Sequence, residues 1–273
     1  MDNLRETISE AVRHIRTKVD LVPKIGIILG TGLGSLGDGI DITATVEYGT
    51  IPHFPVSTVE SHQGRLLFGY LQGKPVVAMQ GRFHFYEGYT MKQVTFPMRV
   101  MKELGIETLI VSNAAGGLNP LFDRGDIMII TDHINFQGTN SLIGPNDDSL
   151  GDRFPDMYNC YDKDLRRLAE ATALEMKIPV KKGVYVSVTG PNLETAAEYR
   201  MFRAMGADVV GMSTVPEVIA ARHQKTKVLA FSIVTDMGLP DALGPCSLDE
   251  IIATANRAEP KLRDLIAGCV AKM

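Results

Sequence analysis

The chain has 273 residues, 45% of them apolar, and a formal net charge of -4 at pH 7. That is enough apolar sequence for one large or two ordinary globular domains, and the acidic balance leaves no basic face for a nucleic-acid backbone. No apolar run approaches the ~20 residues of a membrane-spanning helix, and three scattered cysteines (Cys160, Cys246, Cys269) without a CxxC pair argue against both a disulfide framework and a zinc site.

In chain order, Leu4, Ile8, Val12, Ile15 and Val19 form a helical stripe in a charged N-terminal stretch that has no apolar core of the kind a secretory signal carries. A cytoplasmic location is therefore expected. KIGIIL (24–29) is a short β-branched run ending at Gly30, which reads as a buried strand and a turn. Short apolar pieces at 42–48, 65–71 and 75–79 predict further strands, and Met91, Val94, Met98, Met101 and Leu104 predict a helix whose methionines fill core. TLIVS (108–112) and DIMIIT (126–131) are again buried-strand candidates. From Asp132 to Tyr161 the pattern fades into Gly, Asn, Asp and Pro, as expected of a functional loop or an interface. Helical spacing returns at 162–177, a strand at 183–189, and Thr195 with Glu198 forms a capping box. DVVGM (208–212) is another strand, Thr214 and Glu217 repeat the capping-box spacing, KVLAFSIVT (227–235) is the most strand-like run, and a last helix begins near Ser247. Strands alternating with helices, without a linker or a composition break, predict a single α/β domain over 1–273 with a mixed central sheet flanked by helices.

Several stretches carry residue types suited to chemistry. In QGRFHFYEGY (80–89), an extended backbone puts Arg82, His84 and Tyr86 on one face, a wall suited to an oxyanion. A solvated strand face explains the same spacing about as well. GTGLGSLG (30–37) formally matches a dinucleotide fingerprint, but strand-like alternation follows where a helix is required. Thr31 and the glycine backbone retain the capacity to cradle an anion. NAAGG (113–117) lets a ligand approach the backbone closely. Glu194 precedes a helix, where it either caps or accepts from a heterocycle, and Ser213 stands at another helix start. Asp236 closes the apolar strand 227–235, a frequent place for a functional acid. His62, before Gln63-Gly64-Arg65, has the option of joining an anion site; no histidine or cysteine spacing suggests a metal.

GTGLG, HQGR, QGRFHFYEGY, TFPMRV, NAAGGLNP, GDIMIITDHIN, GPNDD, GDRFPDM, GPNLET and GADVVGMSTVPEVIAARH, in that order, resemble the purine nucleoside phosphorylases of the low-molecular-mass, homotrimeric type. The resemblance runs from about residue 22 to 235 and weakens over the last forty residues. It implies reversible phosphorolysis of purine (deoxy)ribonucleosides, with inorganic phosphate as co-substrate and no resident cofactor. By position it implies phosphate contacts at Thr31, Arg82, His84, the Ala114 backbone N–H and Ser213, with His62 nearby, and ribose contacts at Tyr86 and Met212. It implies Glu194 as acceptor for purine N1–H, Leu193 beside the base, and Phe154 as the residue that closes a neighbouring subunit's site.

Two positions depart from the family pattern. Asp236 stands where relatives that prefer inosine and guanosine have asparagine. An ionised Asp only accepts, so it must hold a proton to serve purine N7, and such an acid also suits a 6-amino group. Leu248 aligns with the family's ribose 5′-hydroxyl histidine, where an apolar side chain favours an apolar 5′-substituent such as methylthio. The sequence thus leaves open 5′-methylthioadenosine or methylthioinosine phosphorolysis, and a nucleoside-binding protein on the same scaffold.

Overall fold

The computed structural model describes residues 3–30, 34–56 and 63–273. Helix α1 (Leu4–Arg16) starts where the Asn3 side chain accepts from the Glu6 N–H, and it buries Ile8, Ala11 and Ile15 of the predicted stripe. β1 (Ile25–Ile28) is buried on both faces because it runs parallel between β4 (Lys74–Gln80) and β5 (Thr108–Gly117). β2 (Asp41–Glu47) and β3 (Arg65–Leu71) extend that side antiparallel.

On the other side stand β6 (Ile127–Asn135), β7 (Val180–Ser187), β8 (Val209–Gly211) and β9 (Lys227–Met237). The order is β2-β3-β4-β1-β5-β8-β7-β6-β9, and β9 pairs back onto β5. Five strands of the mixed sheet therefore close into a ring while four project as an open extension. Closure is possible because β5 is long: its first residues pair with β1 and its last two, Gly116 and Gly117, with β8.

Helices cover both faces. One layer holds α1, α2 (Met91–Leu104) and α5 (Val215–His223), with Met98 and Met101 inside its core. The other holds α3 (Lys163–Glu175) and α6 (Leu248–Ala271). α4 (Ala196–Ala204), capped by the predicted Thr195/Glu198 box, seals the end of the ring with Tyr199 and Phe202.

Three local expectations change. The stretch 80–89 is not one extended strand: β4 stops at Gln80 and Phe85–Glu87 is a 3-10 turn. β6 continues through the polar Asp132–Asn135 because β7 pairs with it as far as Asn135↔Ser187, so the irregular segment starts only at Phe136. Thr214 and Glu217 form no capping box; Thr214 makes no side-chain cap at φ 70°, and Glu217 turns inward.

Candidate functional site

A cavity, open at its mouth, lies at the C-terminal ends of β4, β8 and β9 and along the last residues of β5. Strand ends of this kind gather residues far apart in sequence. One wall is cationic. Arg82 is 1% exposed and follows directly from β4. Its Nη1 donates to the Ser112 carbonyl at 3.0 Å, and its Nε and Nη2 donate to Glu217 Oε1 at 3.2 and 2.6 Å. The guanidinium is thus hung between β5 and the first turn of α5.

His84 sits beside it. Its backbone N–H donates to Glu87 Oε1 at 2.7 Å, and Nδ1 lies 3.1 Å from the same oxygen. An accepting carboxylate places a proton on Nδ1, and the ring stacks on Tyr86 with centroids 4.7 Å apart. The 3-10 turn brings Arg82, His84 and Tyr86 to one cavity, as the strand reading expected by a different route. Burial, then the Glu87 charge, raises the Tyr86 phenol above its ordinary range and keeps it a neutral donor.

Beside Arg82, whose Nη2 lies 3.5 Å from Thr214 Oγ1, the positive φ of Thr214 turns the chain out of β8 so that Ser213 faces the cavity at the N-terminus of α5. A β-branched residue in that conformation is strained, and the surroundings hold it there. Asn113 Nδ2 donates to Thr214 Oγ1 at 2.8 Å, Ser187 Oγ donates to the Ser213 carbonyl at 3.1 Å, and the Ser213 N–H donates to the Tyr185 hydroxyl at 3.3 Å. The Ala114 backbone lines the same side. A buried guanidinium, an imidazole, a serine hydroxyl and a helix N-terminus around one space make an oxyanion site.

Two carboxyl groups line the same cavity. Asp236, near the end of β9, accepts from Thr235 Oγ1 at 2.9 Å. It packs on Gly116, where a Cβ would stand 3.2 Å from Oδ2, so only glycine leaves the acid this much room. Burial raises its pKa, and the Thr235 bond and the Arg124 charge offset only part of that. Glu194 is raised for the same first reason and further by the Asp236 charge, against hydrogen bonds from its own backbone N–H and from Tyr199. Buried carboxyls that repel each other hold protons more readily, which lets them donate to a ligand. Glu194 is not the cap of α4; Thr195 is.

Leu193, Met212 and Leu248 complete the cavity, joined by Ile251 of α6, which the sequence did not single out. Phe154 is elsewhere: it is 88% exposed and borders a shallow surface groove with Ile143 and Met157. Thr31 and His62 lie outside the described residues. Sequence reading also missed Glu217 as a partner of Arg82. The available signal was its setting, VPEVIAA, an acid in a helix that is apolar nearly all round. Among the described residues no cluster of His, Cys, Asp and Glu is placed to hold a metal, and no helix is long and apolar enough to cross a membrane.

Residues 24–271 match the Phosphorylase superfamily. The chain is 53% identical to purine nucleoside phosphorylase 1 of Bacillus subtilis (strain 168), over 98% of this chain and 99% of that one. Among solved structures, Schistosoma mansoni purine nucleoside phosphorylase in complex with adenosine superposes with a TM-score of 0.94 at 44% identity, covering 98% of both chains. The same enzyme in complex with inosine gives 0.94 at 43%, covering 98% of this chain and 97% of the other.

Proposed function

Because the chain belongs to the phosphorylase superfamily, among its purine nucleoside phosphorylases, and so phosphorolyses purine nucleosides, we propose how its own residues divide that reaction. Phosphate is held below the sugar by Arg82, His84, Ser213 and the Ala114 N–H, with Thr31 and His62 completing the anion site. The sugar rests between Tyr86 and Met212. As the glycosidic bond breaks through an oxocarbenium-like state, phosphate attacks C1′ and the bond electrons pass to the purine. Asp236 gives its proton to N7 of the departing base, and Glu194 accepts from N1–H of a 6-oxopurine while Leu193 covers the ring. The convergence of Arg82, Ser213, Glu194 and Asp236 on a single cavity carries this reading.

Base and sugar preference rest on the two departures. Protonated Asp236 donates to N7, and an ionised Asp236 accepts from a 6-amino group, so adenosine joins inosine and guanosine as a substrate. The Schistosoma relative is recorded in complex with both adenosine and inosine. Leu248 lines the cavity at the end assigned to the 5′ position and favours 5′-methylthio nucleosides. The 88% exposure of Phe154 suits a residue that covers a neighbouring subunit's cavity in a homotrimer. The free thiols suit a cytoplasmic enzyme, and the continuous sheet supports one domain over 1–273.

Phosphate-dependent turnover measured across inosine, guanosine, adenosine and methylthioadenosine tests the assignment. Turnover of adenosine alongside inosine is expected; inosine cleavage with none of adenosine would reject the role given to Asp236.

A further inference from the structure

A second polar cavity lies between the start of α1, helices α2 and α5, and the loop segment 141–150. It is distinct from the site above. Thr214 opens α5 at the catalytic cavity and His223 ends it at this one, which for a nine-residue helix is a separation of ~13 Å.

Arg99 of α2 forms one wall and is 3% exposed. Its Nη1 donates to His223 Nδ1 at 3.3 Å, and among the described residues it makes no ion pair. A donor facing Nδ1 places the His223 proton on Nε2; burial first, then the Arg99 charge, keeps that ring neutral. Burial also lowers Arg99 to about 10, with Asp147 acting on it only through space. Among the described residues Asp147 is the one acid lining the cavity, and its Oδ1 is engaged by the Ser149 N–H at 3.0 Å and the Ser149 hydroxyl at 2.6 Å.

Two further groups face the same space. Ser141 is 4% exposed and its hydroxyl has no partner among the described residues. Lys92 crosses to the loop, where a Cβ on Gly144 would lie 3.3 Å from Nζ, and it too makes no ion pair among the described residues. A buried guanidinium does not shed its proton at neutral pH, so its lost hydration has to be offset by a counter-charge. Among the described residues, two cations, a buried hydroxyl donor and a single, otherwise engaged acid leave the cavity one positive charge in excess.

We propose that this cavity binds an oxyanion of the phosphate or sulfate type, held by Arg99, Lys92 and the Ser141 hydroxyl, independently of the substrate phosphate at Arg82. The neutral His223 ring orients Arg99 toward it. Such an anion ties loop 141–150 to α2 and α5. The loop continues into Arg153, which donates to the carbonyls of Leu142 and Gly144 at 3.2 and 3.0 Å and is followed by Phe154. Occupancy of the cavity therefore firms the segment that presents Phe154.

Selenate soaked into crystals of the full chain tests this by anomalous scattering, with sulfate titration and hydrogen exchange in solution beside it. One selenate within hydrogen-bond reach of Arg99 and Ser141 is expected in addition to one at Arg82, with sulfate slowing exchange across 140–151. Lys92→Met and Ser141→Ala leave the buried Arg99 in place. Each should weaken this site about tenfold or more and abolish the exchange effect while leaving selenate at Arg82. Competition by inorganic phosphate and by glucose 6-phosphate separates a free anion from a sugar phosphate: whichever displaces selenate from Arg99 at lower concentration is the better ligand, and either ordering supports the site. Water alone at Arg99, a carboxylate of an adjoining subunit seated there, selenate only at molar concentration as an adventitious ion, or unchanged sulfate binding in both variants would overturn it.

Discussion

Replacing Glu217 by Gln probes the contact that positions Arg82. The pair is almost fully enclosed, with 1% and 4% of the two side chains exposed and Nη2 2.6 Å from Oε1. Removing one charge from such a pair leaves the other buried beside a neutral group, which costs ~3–5 kcal/mol. The amide oxygen of Gln still accepts one bond and the Ser112 carbonyl still accepts another, so the lower end, about 3 kcal/mol, is expected. The loss should shrink in phosphate. A unit charge ~6 Å from a second in a medium of effective dielectric ~20 contributes about 2.8 kcal/mol, and the Glu217 carboxylate opposes an anion on the far side of the guanidinium. Its removal therefore tightens phosphate, and the variant gains more stability from phosphate than the wild type does. Chemical denaturation of both proteins at matched concentration, with and without saturating phosphate, reads both effects. A loss below about 1 kcal/mol without phosphate, or an equal gain for both proteins with it, would refute this account of Arg82.

Asp236→Asn exchanges a carboxyl whose pKa burial raises for an amide that donates permanently, so the adenosine-to-inosine ratio of kcat/KM should fall about tenfold, the effect of leaving one polar group unmatched; an unchanged ratio would remove Asp236 from base selection. Glu194 has a raised pKa in the folded chain, so the folded state binds its proton more tightly than the unfolded one. Its unfavourable contribution is absent at pH below the ordinary carboxylate range and grows as pH rises toward and through the raised value. Glu194→Gln should therefore gain stability over wild type between pH 4 and pH 7, measured by denaturation midpoints, and a flat difference would contradict the burial argument. Leu248→His should lower the ratio of 5′-methylthio to 5′-hydroxyl turnover, since it restores a hydrogen-bonding group to an apolar position. Phe154→Ala should leave the denaturation midpoint of the chain almost unchanged, given 88% exposure, yet raise the nucleoside KM. Equal KM values would end the assignment of Phe154 to a neighbouring site.

Secondary structure was legible wherever the apolar period was unbroken. Helix α2 lies over the predicted 91–104 and β1 within 24–29, because both bury the side chains that make the pattern. β6 outran its apolar run because β7 supplies backbone partners to Asp132 through Asn135, and pairing of that kind leaves no trace in one strand's own sequence. Ring closure was hidden for a related reason: the β5–β9 pairing joins residues more than a hundred positions apart, and the glycines that permit it read simply as a turn. Arg82 and His84 were visible as chemistry, but the turn that brings them together was not, since its stop signal, Gly81, resembles any other glycine in a strand-like stretch. Local spacing fits Glu217 as a capping acid, and long-range pairing with Arg82 overrides it.

A crystal structure with inosine and sulfate, in which sulfate stands in for phosphate without allowing turnover, tests the division of the cavity most directly. Sulfate is predicted in contact with Arg82, His84, Ser213 and the Ala114 N–H, with the base lying between Glu194 and Asp236 and its N7 toward the latter. Sulfate bound away from Arg82, or a purine turned with its N7 edge to solvent, would contradict it.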